Sequence, residues 1–375
     1  MHLLALEYQK GLVVTKDHSK AFAWLEKAAM AGFGNAQIDL GRLYFNGSGI
    51  PKDADKARHW YQKASEQGDP TTLHNLALLY YEGRDVDRDY KRAFDLFLAT
   101  AKSPAINGES FKTERRQAAR FIGIMYFNGW GTKTDKSQAL KWYESAATNG
   151  DAYGHFYAGN IYLTGDGAKQ DDERALRHFQ QAADNNLPEA FLALGNAYVQ
   201  GTGVQKDLLK AGELYANAAN GSLESAKAYL EQQFSVCTDD PQIDDEQAES
   251  CILAAGAGYP LAQSITGAFY HSGTFVPKDH EKSVALFRKA AEQGDIRAQT
   301  MLGTIYGNGE GVGKSVVESY AWAYVAVHQV PKTEFEQKLI ESSKAAIDAK
   351  LANMTPDEKA AATDKASVYM KQYIR

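Results

Sequence analysis

The chain has 375 residues, with 41 lysine or arginine and 47 aspartate or glutamate side chains, which give a formal net charge of −6. Opposite charges are interspersed and form no basic stripe, so nucleic acid is not expected as a ligand. No apolar run is long enough to cross a bilayer, and Glu7 and Lys10 interrupt any signal-like stretch near the start. Composition therefore argues against nucleic-acid binding and membrane insertion and leaves the compartment open.

A repeat of 36 residues organises most of the chain. Steps of this length from Gly41, with one ten-residue insertion near positions 103–113, reach nine equivalent positions, here called origins: Ala5, Gly41, Ala77, Gly123, Gly159, Gly195, Glu231, Gly267 and Gly303. An aromatic residue follows each origin by three positions: Tyr8, Tyr44, Tyr80, Tyr126, Tyr162, Tyr198, Phe234, Tyr270 and Tyr306. A small origin lets a neighbouring helix approach closely, and the aromatic residue fills the groove beside it.

Cap residues mark where the two helices of each repeat begin and end. Six residues after the origin stands a glycine such as Gly47, which suits the left-handed cap that ends a first helix, helix A. Twelve residues after the origin stands an aspartate such as Asp53, which can accept from the free N–H groups that open helix B. Glycine returns at positions such as Gly68 and ends helix B. The sequence thus predicts an all-α fold of helix-turn-helix repeats.

This pattern of an alanine-leucine-glycine-tyrosine helix A, a GxG turn, an aspartate and an aromatic-rich helix B that ends in paired alanines resembles the Sel-one-like repeat family, which is related to the tetratricopeptide repeats. The resemblance covers residues 1 to about 330. It implies a right-handed α/α solenoid superhelix of about nine repeats, with helix A lining a concave face. The family brings no set of catalytic residues, so we expect neither enzyme activity nor a cofactor.

The register divides the chain into three parts. Residues 1–33 are expected to be a partial first repeat, 34–331 the tandem repeats, and 332–375 the C-terminal capping helices. In the last part, Thr355, Pro356 and Glu358 supply the N-cap, N1 proline and N3 glutamate of a final helix. A polar tail suits this position because nothing stacks beyond a terminal repeat.

One repeat, at about 224–259, is irregular. Cys237 replaces the glycine that ends helix A, and Cys251 replaces a helix B aromatic residue. These two cysteines form either a disulfide, if the compartment is oxidising, or a pair of small buried thiols. The acidic segment 239–246 between them lacks the alternating ligands and central glycine of a calcium loop. We therefore interpret it as a solvated loop that leads into helix B.

Signatures of chemistry are missing from the sequence. The nine histidines are scattered, and no HExxH, CxxC or GxSxG motif occurs, so no metal site is expected. His178 occupies a helix B aromatic position and is interpreted as a packing residue. The GxG elements recur as helix caps and follow helices, whereas a phosphate-binding loop follows a strand.

A binding role is better supported, because stacked repeats create a long concave groove. Its floor is expected to consist of helix A residues one, four and five positions after the origin, together with neighbouring aromatics. The candidate partner-binding residues are Arg42, Phe45, Asn46, Tyr81, Glu82, Phe127, Asn128, Phe156, Tyr157 and Asn160. Aromatic anchors with polar neighbours are typical of interaction hot spots. The alternative is that these aromatics, like Trp130 and Tyr153, complete the packing between repeats.

The leading hypothesis is a scaffold or adaptor that binds a protein or peptide, is monomeric by itself, and works in the periplasm of the bacterial envelope, with the cytoplasm as the alternative compartment. A second hypothesis is an immunity or inhibitor protein that covers the active site of a toxin or enzyme. A third, from a different class, is a cell-wall or β-lactam-directed enzyme like that suggested for some cysteine-rich relatives. Those relatives carry a cysteine pair in most repeats, whereas this chain has one pair.

Overall fold

A computed structural model describes residues 1–10, 15, 17–47, 50–83, 86–103, 112–237 and 243–373. Within these ranges the chain forms twenty α-helices and no β-strand. It divides into two compact units, Met1–Asn185 and Asn186–Arg375, each built as a stack of helical hairpins. The predicted all-α solenoid class is therefore confirmed.

The first unit contains ten helices that pack as five consecutive hairpins. They are α1 His2–Lys10, α2 His18–Met30, α3 Gly34–Asn46, α4 Ala54–Glu66, α5 Pro70–Glu82, α6 Tyr90–Lys102, α7 Lys112–Asn128, α8 Lys136–Thr148, α9 Ala152–Thr164 and α10 Asp172–Asp184. Helices α2, α4, α6 and α8 also pack on the helix A that follows each of them, and α5 additionally touches both α3 and α7. Helix A of one repeat thus lies beside helix A of the next. Most of the predicted insertion lies outside the described residues.

The second unit contains the remaining ten helices. They are α11 Pro188–Gln200, α12 Leu208–Asn220, α13 Glu224–Val236, α14 Asp245–Gly256, α15 Pro260–Ser272, α16 His280–Glu292, α17 Ile296–Asn308, α18 Val316–Val327, α19 Glu334–Ala352 and α20 Pro356–Tyr373. The first eight pair as hairpins, whereas α19 and α20 both pack on α18. Trp322 of α18 contacts the rings of Tyr369 and Tyr373 on α20. The two last helices therefore cover the end of the final hairpin.

The predicted caps recur in the structure. The side chains of Asp17, Asp53, Asp89, Asp135, Asp171, Asp207 and Asp279 each accept a hydrogen bond from the backbone N–H three residues on, at the start of a helix B. The backbone N–H of Asp53 also donates to the carbonyl of Tyr44 at 2.8 Å, which closes the turn. Glycine ends most A helices in the left-handed conformation, as Gly47 does with φ of 68°. Only glycine adopts this conformation without steric cost.

Candidate binding groove

A groove of about 540 Å³ lies between helix A of the second repeat and helix A of the third. Its lining is His2, Asn35, Ile38, Asp39, Arg42, Asn75, Leu78, Leu79 and Glu82. Leu78 and Leu79 supply apolar surface, whereas the α3 side contributes polar and charged groups. Two of the predicted partner-binding residues, Arg42 and Glu82, line this groove. The amphipathic lining suits a polar chain that carries some apolar side chains.

A pair of asparagines spans the groove. The side-chain amide of Asn75 donates to Asn35 Oδ1 at 2.9 Å, and both residues are half-buried. This bond leaves the Asn35 side-chain NH₂ and the Asn75 side-chain carbonyl with no second hydrogen-bond partner within the described ranges. Exchanging the orientations of both amides would still leave one donor and one acceptor. The pair therefore offers the two groups that one peptide unit requires.

Charged residues flank this asparagine pair. Asp39 lies 2.8 Å from His2 Nε2 and 3.7 Å from an Arg42 guanidinium nitrogen. Glu82 stands at the end of α5, on the opposite wall. The ion pairs are partly exposed, so each contributes little to stability. They can instead orient a charged partner, because electrostatic complementarity mainly sets specificity and association rate.

Further along the first unit, Arg120 on α7 packs against the start of α9. Its guanidinium lies 3.6 Å from the buried carboxylate of Asp151 and 5.0 Å from the centre of the Tyr153 ring, and 18% of the side chain is exposed. The His74 ring on α5 lies 6.4 Å from the ring of Phe121, the residue after Arg120, with the two planes tilted by 54°. Burial lowers the pKa of His74, which favours its neutral form. This region presents a cation between aromatic rings.

The predicted anchor Tyr81 lies in the seam between two repeats. Its ring contacts Tyr90 at 5.7 Å, Phe121 at 5.1 Å and Trp130 at 6.0 Å between centroids, and it also contacts Phe97. Burial raises the pKa of the Tyr81 hydroxyl, and the neighbouring Tyr90 and Tyr157 raise it further. Tyr81, four positions after its origin, therefore contributes to the packing between repeats. This is the alternative role that the sequence allowed for these aromatics.

Phe45 and Phe127 occupy the same register as Tyr81. The Lys52 ammonium lies 5.0 Å from the centre of the Phe45 ring, and the Lys136 ammonium lies 5.0 Å from the centre of the Phe127 ring. Phe45 lines a different cavity, of about 430 Å³, together with Arg58 and residues of the next turn. Both rings are half-buried and covered on one face by a cation.

The other predicted partner-binding residues lie on α3, α7 and α9. Phe156 packs on Phe179 at 5.9 Å, and Tyr157 packs on Tyr143 at 5.1 Å between ring centroids. Asn128 donates to the carbonyl of Ile124 in its own helix at 2.8 Å. Asn46 is exposed at the end of α3, and Asn160 is half-buried on α9. The structure therefore distributes the predicted set among the groove, the packing contacts between helices and exposed helix ends.

Two histidine pairs lie between helix A and helix B of a single repeat. His155 Nδ1 lies 3.1 Å from His178 Nδ1, and burial lowers the pKa of both imidazoles. His178 also stacks on Tyr162, in keeping with a packing role. His271 contacts His280 and lies 3.3 Å from a Glu310 carboxylate oxygen. In the part of the chain that the structure describes, no group of three or more His, Cys, Asp or Glu side chains could hold a metal ion.

Sequence reasoning missed Asn35, Asn75 and Arg120. They lie six, two and three positions before an origin, respectively, on the part of helix A that precedes the recurring residues of the repeat. Because residues at these positions vary from repeat to repeat, periodicity alone does not single them out. The helical projection of three to four residues per turn places them on the same face as Arg42.

The sequence profile of the Sel1 repeat matches residues 1–33, 34–69, 70–103, 116–151, 152–187, 188–223, 260–295 and 296–329. These eight segments cover more than half of the chain, so the chain belongs to the Sel1 repeat family. The profile leaves out residues 224–259, the irregular repeat. Proteins of this family generally mediate protein–protein interactions and are typically non-catalytic.

Solved structures from several bacteria match this chain. The chain is 24% identical to c5321, a protective antigen of uropathogenic Escherichia coli strains with an SLR fold, over 99% of this chain and 84% of that one, with a TM-score of 0.34. It is 25% identical to a Sel1 repeat protein from Oxalobacter formigenes, over 85% of this chain and 91% of that one, with a TM-score of 0.46. A putative Sel1 repeat protein from Klebsiella pneumoniae subsp. pneumoniae is 21% identical over 56% of this chain and 98% of that one, with a TM-score of 0.33.

A search of curated protein sequences found no match. Of the helices in the described ranges, none combines the length and the apolar composition that a bilayer-spanning segment needs.

Proposed function

We propose that this chain is a non-catalytic adaptor that binds an extended peptide segment of a partner protein in the groove between α3 and α5. The observation that carries this proposal is the Asn35–Asn75 pair, which leaves one donor and one acceptor above the apolar surface of Leu78 and Leu79. An extended peptide exposes one N–H and one C=O for each residue. The pair can bind one peptide unit by two hydrogen bonds, while the apolar wall covers a neighbouring side chain.

The envelope remains the compartment that we propose. The irregular repeat brings the sulfur atoms of Cys237 and Cys251 to bonding distance, with their Cα atoms 4.8 Å apart. Disulfides persist in oxidising compartments such as the periplasm and are rare in the cytosol. A stable bridge in the natural protein would therefore support the periplasmic alternative over the cytoplasmic one. We also infer that the chain acts as a monomer, which light scattering tests against its mass of 41.2 kDa.

Peptide selection tests the groove. A random twelve-residue peptide library displayed on phage is selected against the full chain, and the enriched peptide is titrated by fluorescence anisotropy. The Asn35→Ala, Asn75→Ala double variant should bind that peptide about ten-fold more weakly, since one to two net hydrogen bonds are worth roughly 1–2 kcal/mol. Asn149→Ala, Asn185→Ala is the matched control, because both of these asparagines are exposed at the ends of B helices and lie outside the groove.

The outcomes separate the parts of the proposal. Selection that enriches no peptide would reject peptide binding. An enriched peptide that binds the two double variants equally well would reject the asparagine pair as its site. N-methylation of successive backbone amides in the enriched peptide should identify one position where affinity falls as far as in the Asn35→Ala, Asn75→Ala variant.

A further inference from the structure

The irregular repeat differs from the others in how its B helices meet. A methyl group on Gly212 of α12 would lie 2.0 Å from the carbonyl oxygen of Leu253 on α14, and a methyl group on Gly256 would lie 2.0 Å from the carbonyl oxygen of Leu209. These reciprocal distances show that α12 and α14 cross in direct backbone contact. Glycine occurs at these two repeat positions only here. Two successive B helices therefore pack together without the intervening helix A.

The intervening helix, α13, is correspondingly peripheral. Only Ala226 and Leu230 are buried in it, whereas the equivalent helix α15 buries six residues. The origin of this repeat, Glu231, is exposed, and the usual ring that an origin contacts is replaced by Cys251. Because buried apolar area supplies most of the free energy that holds a helix in place, α13 has a weaker attachment than its counterparts.

Few contacts attach α13 to its neighbours. Phe234 stacks on Tyr259 with ring centroids 4.5 Å apart, Tyr229 meets Tyr215 at 5.1 Å, and Gln233 accepts from Ser250 at 2.8 Å. The covalent attachment is at its end, where Cys237 is bonded to Cys251 of α14. At its start, Ser222 has φ of 68°, in the left-handed region that glycine occupies at this position in most other repeats and Asn186 occupies in the preceding one. This strained residue precedes α13 and gives it a natural hinge.

A cleft of about 340 Å³ lies where α13 meets its neighbours. Val199, Leu208 and Leu253 contribute its apolar lining, and Tyr229 and Val236 of α13 form another part of its wall. Departure of α13 would open this cleft. The second unit would not be severed, because the contact through Gly212 and Gly256 does not involve α13.

We propose that α13 is a strap held closed by the Cys237–Cys251 disulfide, and that cleavage of this bond lets α13 leave the stack while α12 and α14 stay joined. Cleavage takes two electrons and two protons from a dithiol, which becomes a disulfide as the two cysteines become thiols. Both cysteines are buried. The bond is therefore a durable tether in an oxidising compartment, and the open form belongs to a reducing one.

Amide hydrogen exchange on the full chain tests the strap. Free thiols are first counted in the unreduced, denatured protein, and two thiols would overturn the proposal. The Cys237→Ala, Cys251→Ala variant is then compared with the bridged wild type. Exchange across residues 224–236 should accelerate by about 100-fold, the factor expected when a loop of this length loses its cross-link. Residues 260–272, the equivalent helix A of the next repeat, should change by less than about three-fold.

A second variant separates strap opening from general unfolding. Gly212→Ala disturbs the α12–α14 contact but leaves the cysteines, so α12, α13 and α14 should lose protection together. Unchanged exchange in α13 of the double cysteine variant would overturn the proposal, as would acceleration that extends equally through α14 and α15. If that variant fails to fold, wild type refolded in the presence of a phosphine reductant is measured instead, and a second unit that still does not fold would show that α13 cannot separate.

Discussion

Gly41 on α3 lies directly against the ring of Tyr61 on α4, so that a methyl group added at Gly41 would meet the ring at 2.6 Å. The same relation recurs twenty residues apart in other repeats, as between Gly123 and Tyr143, where the distance is 2.5 Å. The absence of a side chain at the origin is therefore what lets helix B of the same repeat bring its large ring onto helix A. The hairpins that have glycine at the origin and a ring twenty residues later close on this contact.

Replacement of Gly41 by valine should lower the free energy of unfolding of the first unit by about 2–3 kcal/mol. The destabilisation by overpacking exceeds the stabilisation from the higher helix propensity of valine. Urea denaturation followed by circular dichroism measures this change. Tyr61→Ala alone should also destabilise, since it leaves a cavity. The two changes together should cost less than their sum, because the valine then occupies space that the ring vacated.

Gly313→Ala is the control for this cycle. No atom lies within 4 Å of a methyl group at Gly313, so its effect on stability should stay within about 0.5 kcal/mol. Strictly additive costs for Gly41→Val and Tyr61→Ala would contradict the proposed contact between the two residues.

Much of the architecture was predictable, because its signals are local. The glycine at Gly47 and the aspartate at Asp53 fix helix ends through backbone geometry and a single hydrogen bond, and both recur at constant spacing. The final helix was also predicted: Thr355 and Glu358 exchange backbone and side-chain hydrogen bonds ahead of α20. Such features depend on residues within a few positions of one another, so the sequence states them directly.

The groove and the irregular repeat depended on distant contacts, and were predicted less well. Asn35 and Asn75 meet only because helix A of one repeat packs beside helix A of the next, and neither position is periodic. Gly212 and Gly256 did carry a signal, because glycine within a helix is unfavourable and needs a reason. Their partner could not be known, since the shift of α13 that lets them meet is a tertiary effect.

Buried glutamines also join consecutive repeats. Gln37 donates to the carbonyl of Ala29 at 2.9 Å and accepts from Gln67 at 2.6 Å. Gln263 and Gln293, the same thirty residues apart, repeat the arrangement at 3.0 Å. Gln37→Leu should cost about 1–3 kcal/mol in the free energy of unfolding, because it leaves a buried carbonyl without its donor.

Gln67→Ala tests whether stability depends on the bond between Gln37 and the Ala29 carbonyl or on the bond between Gln67 and Gln37. Gln67 is exposed, so water can replace its bond to Gln37, and its loss should cost less than about 0.5 kcal/mol. Thermal denaturation of the two single variants compares them. Equal destabilisation by both would contradict the role assigned to the Ala29 carbonyl.

The caps of the B helices should make stability sensitive to acid. The backbone N–H of Lys56 holds the pKa of the Asp53 carboxyl below its usual range, and the same kind of bond lowers the pKa of Asp17 and Asp135. A carboxyl whose folded pKa is depressed stabilises the fold above its unfolded pKa, and this contribution disappears as pH falls through the folded value. Stability should therefore fall below about pH 4.

Asp53→Asn isolates this contribution, because asparagine still caps a helix but does not titrate. The difference between the unfolding midpoints at pH 6 and pH 3 should become smaller in this variant than in the wild type. Asp55→Asn is the matched control two residues away, since Asp55 is exposed and caps no helix. A control that reduces the difference as much as Asp53→Asn would show that general charge repulsion, and not the cap, is responsible.

The end of the second unit depends on how α20 covers Trp322. Tyr369 places its ring 4.6 Å from the Trp322 ring and donates its hydroxyl proton to Glu318 at 3.0 Å. Tyr369→Ala should lower the free energy of unfolding by about 2–4 kcal/mol through lost apolar burial and an unsatisfied carboxylate oxygen. Val368→Ala removes a neighbouring side chain that is 55% exposed, and should cost less than about 0.5 kcal/mol. Tryptophan fluorescence during urea unfolding measures both, and similar costs for the two variants would mean that α20 does not hold the end of the stack through this contact.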